Sequence, residues 1–262
     1  MCGIFGWALN SELGIRVALE ILKRLEVFTY PGRASPVGGH GAGISYLKEN
    51  RDLFLAKVGK TNGSPVSDLL KTMDYSAVQT KVMLEHVRRA SPQFNETVKW
   101  SECTQPYRGK CIDGVDVVSV HNGFLSNYKA LKGSLSASHH YESERIELID
   151  SELFPHVCEE LVKTHGLQSA AEKLLCKAEG NATVGLLTRS GEDYGLDILH
   201  RGRTVGLNIW KNPDREVVFC SRWEPVEELM GEWLRERGFQ RKVYIEYGEP
   251  AIVAMSFNPL KI

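Results

Sequence analysis

The sequence predicts an α+β protein built from two mainly antiparallel sheets, each with amphipathic helices on one face and the partner sheet on the other. Three observations lead there. Ten segments rich in β-branched and apolar residues recur along the chain, amphipathic helical patterns are few, and several strands follow one another through short polar turns. Short turns favour antiparallel pairing over the long crossovers that a parallel sheet needs. Amphipathic helices in turn need a sheet face to bury against.

In chain order the candidate strands are GIFGWAL, AGISYL, LFLAKV, KVMLEHV, VDVVSV, TVGLLTRS, LDILHRG, VVFCS, VYIEY and AIVAMS. The first helical pattern carries Ile15, Ala18, Leu19, Leu22 and Leu25 on one face. A second has Leu153, Val157 and Leu161, and SAAEKLLCKA at 169–178 follows it. The turn RSGEDYG joins TVGLL to LDILH, as in a hairpin. PGRASPVGGHGAG at 31–43 and KTNGSPVS at 60–67 read as loops. With no repeat or low-complexity tract, residues 1–262 are expected to form one domain.

Composition narrows the function. Lys and Arg total 32 against 33 Asp and Glu, so no net field selects nucleic acid or an anionic membrane. With 42% hydrophobic residues and no apolar run of membrane-spanning length, a soluble protein is expected. MCGIFGWALN lacks the basic leader and long apolar segment of a secretory signal, which points to the cytoplasm. The six cysteines include no C-x-x-C pair and no zinc-finger spacing, so no metal site is expected, and free thiols are the default over a Cys103–Cys111 bridge. Neither nucleotide-binding glycine pattern is present, and no cofactor is expected.

Cys2 follows the initiator methionine, and excision of Met1 would leave a thiol and a free α-amine on one residue. An α-amine has a reference pKa of about 7.7–8.0, so near neutral pH it can take the thiol proton without a separate histidine base. Asn122 and Gly123 follow the apolar strand VDVVSV; they offer a side-chain amide and a backbone N–H unobstructed by a Cβ, suited to a tetrahedral oxyanion. Arg88 can grip a carboxylate through two parallel hydrogen bonds, with Ser91 adding a hydroxyl. Asp150, at the start of a helix, can receive an ammonium, although helix capping would also suit it. Arg33 and His40 are lesser candidates, His139 and His140 read as a solvated loop, and His121 as a hydrogen-bonded structural histidine.

MCGIFG, HVRRAS, HNGFLSNY and DSELF, in that order, resemble the glutaminase domain of class II glutamine amidotransferases over nearly the whole chain. The resemblance implies the four-layer α/β/β/α sandwich of the N-terminal nucleophile hydrolases. It also implies Cys2 as nucleophile, Asn122 and Gly123 as oxyanion hole, and Arg88, Ser91 and Asp150 as substrate ligands. Arg89 stands where many members have an aromatic residue, Pro92 where histidine is common, and the family's Arg-Gly-x-Asp loop is not legible in YPGRASPVGGHGAGIS. The implied reaction is hydrolysis of the glutamine side-chain amide to glutamate and ammonia, with a separate synthase subunit as a candidate ammonia acceptor. Two other readings stay open: hydrolysis of a γ-glutamyl amide in a larger metabolite, and a non-catalytic sensing or scaffolding subunit. A homo-oligomer is compatible with either.

Overall fold

The computed structural model describes residues 2–203, 206–246 and 248–257. The expected removal of Met1 concerns a residue outside them. A seven-stranded antiparallel sheet has the order β11-β9-β10-β1-β4-β2-β3. Its strands are β1 (Gly3–Gly14), β2 (Gly41–Leu47), β3 (Leu53–Gly59), β4 (Gln79–Val87), β9 (Leu207–Lys211), β10 (Val217–Cys220) and β11 (Gln240–Ile245). A five-stranded sheet, β12-β8-β7-β6-β5, contains β5 (Tyr107–Gly109), β6 (Val115–Leu125), β7 (Gly180–Ser190), β8 (Asp193–Gly202) and β12 (Ala251–Phe257). The long hairpins follow from the turns: β7 and β8 pair from Ser190↔Asp193 to Ala182↔Arg201 across Gly191 at φ 62°.

Alternation along the strands builds the four layers. On β1, Ile4 and Ala8 face the second sheet and pack with Leu84, Val118, Val120 and Ile198, while Phe5, Trp7 and Leu9 face the outer helices. Those helices are α1 (Arg16–Val27), α2 (Pro65–Lys71) and α6 (Glu224–Glu236). Over the five-stranded sheet lie α3 (Tyr128–Ser134), α4 (Leu153–His165) and α5 (Leu167–Lys177), which bury Leu153, Val157, Leu161 and Leu174 against Val117, Leu186 and Leu199. The expected sandwich is therefore the observed one. Each of the ten predicted strand segments overlaps a strand, with Tyr247 of VYIEY outside the described residues.

Differences lie at short or capped elements. β5 and β9 carry too few residues to stand out as alternating runs. Residues 60–67 are only partly a loop, because Ser64 caps α2 by accepting from the Ser67 N–H at 3.0 Å and Pro65 occupies its first turn. No helix among the described residues is long and apolar enough to cross a membrane.

Candidate active site

Gly3 pairs with Val87 across β1 and β4, so Cys2 and Arg88 emerge side by side at one end of the large sheet. Continuing the alternation, both fall on the side of Ile4 and Leu84, toward the second sheet. The thiol of Cys2 is half-buried, accepts from the Arg89 N–H at 3.3 Å and lies 3.5 Å from the Arg89 carbonyl. The Gly-rich loop closes one flank, where the His40 N–H donates to the Arg88 carbonyl and the Arg88 N–H to the Gly41 carbonyl. His40 also accepts from the Ala90 N–H through Nδ1 at 3.2 Å and touches the Arg89 guanidinium. Burial and the neighbouring Arg89 charge hold the His40 pKa down to about 4, so it stays neutral.

The second sheet contributes the facing wall. Gly123 sits on β6 at φ 134°, a conformation L side chains rarely adopt, which supplies a reason for glycine there. Asp150 opens a 3₁₀ turn, Asp150–Glu152, immediately before α4. It is 4% exposed, and its carboxylate accepts from the Leu125 N–H at 2.8 Å. Burial pushes its pKa up to about 6, against hydrogen bonds from Leu125 and Ser151 and the positive charge of Arg88. The turn is fastened from behind by buried Glu152, which accepts from the Glu142 and Ser143 N–H groups at 2.6 and 3.1 Å. Burial raises that carboxyl to about 7.

Five of the six predicted residues, Cys2, Arg88, Ser91, Gly123 and Asp150, line one cavity of 310 Å³. Arg88 is 4% exposed and aimed by Thr97, whose carbonyl and hydroxyl accept from its Nη1 and Nη2 at 3.3 and 2.6 Å. A guanidinium has five N–H donors, so among the described residues three remain for a ligand. Asn122 does not line the cavity. It falls on the Val118 and Val120 side of β6, facing the sheet that carries Cys2, and its fully buried amide has no hydrogen-bond partner among the described residues. An unpaired buried amide costs about 1–3 kcal/mol, so it marks a place where a partner is wanted.

Other lining residues were not named as site candidates from the sequence. Gln105 accepts from the His121 N–H at 2.5 Å and donates to the His121 carbonyl and to Ser151 at 3.0 and 3.2 Å, tying β6 to the Asp150 turn. No local pattern announces it. Arg89, Phe94, Ile149 and Arg203 complete the walls, while Arg33 is not among them. His121 hydrogen-bonds Ser151 at 2.8 Å, and burial lowers its pKa to about 3, as a neutral structural histidine requires. The reading of 139–140 as solvated needs correction: His140 is exposed, but the His139 side chain is buried against Glu159 and Glu160 of α4. Those acids lie some twenty residues downstream, beyond a local reading. All six cysteines are free thiols.

No family model matches the sequence. Among curated proteins, the glutamine–fructose-6-phosphate aminotransferase (isomerizing) of Methanococcus maripaludis is 30% identical over 205 residues, 77% of this chain and 28% of that protein. The enzyme of the same name from Helicobacter pylori is 27% identical over 204 residues, 74% of this chain and 28% of that protein. That from Chlorobaculum tepidum is 25% identical over 265 residues, covering 100% of this chain and 37% of that protein. The chain thus spans 28–37% of the length of these relatives. Two solved structures share the fold. The allosteric regulatory enzyme of purine biosynthesis superposes with a TM-score of 0.64 at 19% identity, covering 98% of this chain and 48% of that one. The glutamine phosphoribosylpyrophosphate amidotransferase of B. subtilis gives 0.63 at 19% identity, covering 98% and 49%. With its two-sheet sandwich and these relatives, the matched region is a class II glutamine amidotransferase domain with the N-terminal nucleophile hydrolase fold.

Proposed function

We propose that the chain hydrolyses the side-chain amide of glutamine through Cys2, as the N-terminal residue of the mature protein. The observation that carries this reading is the convergence of a half-buried thiol, an arginine and a buried carboxylate on one cavity of 310 Å³. Glutamine is a zwitterion with a neutral amide at its far end, and each charged end needs a partner when it leaves water. Arg88 takes the α-carboxylate with the donors that Thr97 leaves free, Ser91 adds a hydroxyl, and Asp150 takes the α-ammonium.

In the reaction, the Cys2 α-amine accepts the thiol proton and the sulfur attacks the amide carbon. The carbonyl π electrons move to oxygen, where the Gly123 N–H and the Asn122 amide stabilise the oxyanion. As the tetrahedral intermediate collapses, the C–N bond breaks and the nitrogen takes the proton back, leaving as ammonia. Water then cleaves the thioester to glutamate and restores the thiol. Asn122 has donors without a partner among the described residues, so supplying the oxyanion displaces no bond seen there. No step requires a cofactor.

We further propose that the ammonia passes to an acceptor, since the larger part of each curated relative lies outside the matched span. The assay is glutamate release from glutamine by the parent, a Cys2→Ser variant and a variant with a non-removable N-terminal extension. Both variants should lose nearly all activity, and an electrophilic glutamine analogue should add one mass equivalent to the N-terminal peptide beginning at Cys2. Full turnover by the extended variant would refute the α-amine's role. Faster turnover of a γ-glutamyl amide lacking a free end would transfer the assignment to that substrate class.

A further inference from the structure

On the helical side of the five-stranded sheet, Cys111, His139, His156 and Glu159 converge so that one donor atom from each lies within 4.8 Å of the others. His156 and Glu159 stand one turn apart on α4 and share a face. Cys111 arrives from the loop after β5, and His139 from the connection after α3. We infer that this cluster is a tetrahedral binding site for a zinc-class divalent cation, independent of the Cys2 cavity.

The donor set is one thiol, two imidazoles and one carboxylate, a soft and borderline combination that suits zinc rather than magnesium or calcium. The side chains of His139, His156 and Glu159 are 1%, 1% and 0% exposed, so bulk water does not compete for them. Cys111 Sγ lies 3.9 Å from His156 Nδ1, while Glu159 Oε1 lies 2.8 Å from His139 Nδ1 and 2.9 Å from His156 Nδ1. Zinc bond lengths of about 2.0–2.3 Å imply ligand-to-ligand edges of roughly 3.3–3.7 Å, so these three distances need to change by about half an ångström and the widest pair by up to about 1 Å.

The surroundings match an outer shell. His139 presents Nδ1 to the cluster and Nε2 to Glu160 Oε1 at 3.1 Å, the carboxylate–imidazole arrangement that orients a metal ligand. Glu160 also accepts from the Ser136 and Ala137 N–H groups at 2.7 Å each, and Glu159 Oε2 from those of Cys111 and Ile112 at 2.7 and 3.2 Å. The approach segments of both loop ligands are thereby fixed to α4. A bound ion would staple the two loops to the helix that begins beside Asp150. Spacing rules miss such a site because its ligands are dispersed between positions 111 and 159.

The alternative is a metal-free network in which Glu159 simply accepts from its neighbours. Cobalt titration of the full chain in a Cys2→Ser background separates the two, because the active-site thiol is then absent. The expected result is one cobalt per chain, with tetrahedral d–d absorption and a thiolate-to-cobalt charge-transfer band that zinc abolishes. Cys111→Ser should remove the charge-transfer band. Glu160→Gln should keep it while weakening zinc binding roughly 10–100-fold. In the Cys2→Ser protein alone, zinc should protect Cys111 from alkylation, as read by peptide mass, and raise the thermal midpoint. A folded Cys2→Ser protein with no charge-transfer band and unprotected Cys111 overturns the site, as does a band that survives Cys111→Ser unchanged.

Discussion

Replacing Asp150 with asparagine should stabilise the protein at alkaline pH while weakening glutamine binding. The carboxylate is 4% exposed, and burial moves its pKa from 3.8 to about 6. Because the folded value is raised, the folded state holds its proton more tightly than the unfolded chain. The unfavourable term is small near pH 4, grows between pH 4 and 6, and is constant above that range. About two pKa units at about 1.36 kcal/mol each give roughly 3 kcal/mol at pH 8, of which roughly 2–3 kcal/mol develops above pH 4. Asparagine keeps an oxygen for the Leu125 N–H and turns a donor toward Ser151, at a cost that does not vary with pH. The gap between variant and parent midpoints should therefore widen in the variant's favour by roughly 5–10 °C from pH 4 to pH 8, at about 2–4 °C per kcal/mol. Glutamine loses its ammonium partner in the variant, so KM should rise about 10–150-fold, equivalent to roughly 1.5–3 kcal/mol, with kcat less affected. In the parent, kcat/KM should fall as pH drops below about 6, because protonated Asp150 cannot pair the ammonium; the variant should lack that limb. Differential scanning fluorimetry over a pH series and initial-rate kinetics supply the readings. A midpoint gap independent of pH refutes the electrostatic argument, and an unchanged KM refutes the clamp.

Asn122→Ala should lower kcat by about 10²–10³ with little change in KM, and Asn122→Asp should be at least as damaging, since it sets an acceptor against the developing charge. A folded Asn122→Asp enzyme with kcat within a few-fold of the parent removes the oxyanion assignment. Thr97→Val takes away the hydroxyl that accepts from Arg88 Nη2, so KM should rise while kcat changes little; equal losses in both would mean Thr97 does not act through substrate binding. Gly123→Ala places a Cβ at φ 134° and should cost about 1–3 kcal/mol of stability by urea unfolding, and an unchanged midpoint would show that the backbone there relaxes freely. Glu85 is fully buried with no hydrogen-bond partner for its carboxyl oxygens among the described residues, and burial raises its pKa well above the usual range. Its folded state holds a proton that the unfolded chain releases above pH about 4.5, so Glu85→Met should gain stability relative to the parent as pH rises toward 8. A variant less stable than the parent throughout would assign Glu85 a partner or a role.

The sheets were legible because long strands such as β1, β4 and β6 carry their apolar residues in dense runs. The α1 pattern Ile15, Ala18, Leu19, Leu22 and Leu25 is likewise buried on the helix side of β1. What escaped was set by residues with two meanings. Asn62-Gly63-Ser64-Pro65 punctuates a loop, yet Ser64 and Pro65 also start α2. Glu224–Glu236 forms α6 although Pro225 opens it and Gly231 interrupts its pattern. In the site, the short motifs named Cys2, Arg88, Ser91, Gly123 and Asp150, which line one cavity, because a thiol, a guanidinium and a carboxylate are themselves chemical signals and Gly123 sits at φ 134°. Gln105, Thr97 and Glu152 were illegible, since each matters only through a partner elsewhere in the chain: His121 and Ser151, Arg88, and Ser143.

The cavity lies at the seam of the sandwich, with Cys2 and Arg88 supplied at the end of the large sheet, Gly123 by the small one and Asp150 by the turn that leads into α4. Neither half holds a working constellation by itself. Turnover consequently reports on the docking of Ile4 and Leu84 against Val118 and Val120, the apolar layer that sets the distance and slide between the sheets. During refolding, activity should return only with that layer, after either sheet has acquired its own pairing, and a slip of one sheet over the other would silence the thiol without unfolding a strand. Under the proposed function the seam would work as a coincidence detector, with the Cys2 sulfur placed for reaction only in a chain whose two sheets have both formed and been brought into register.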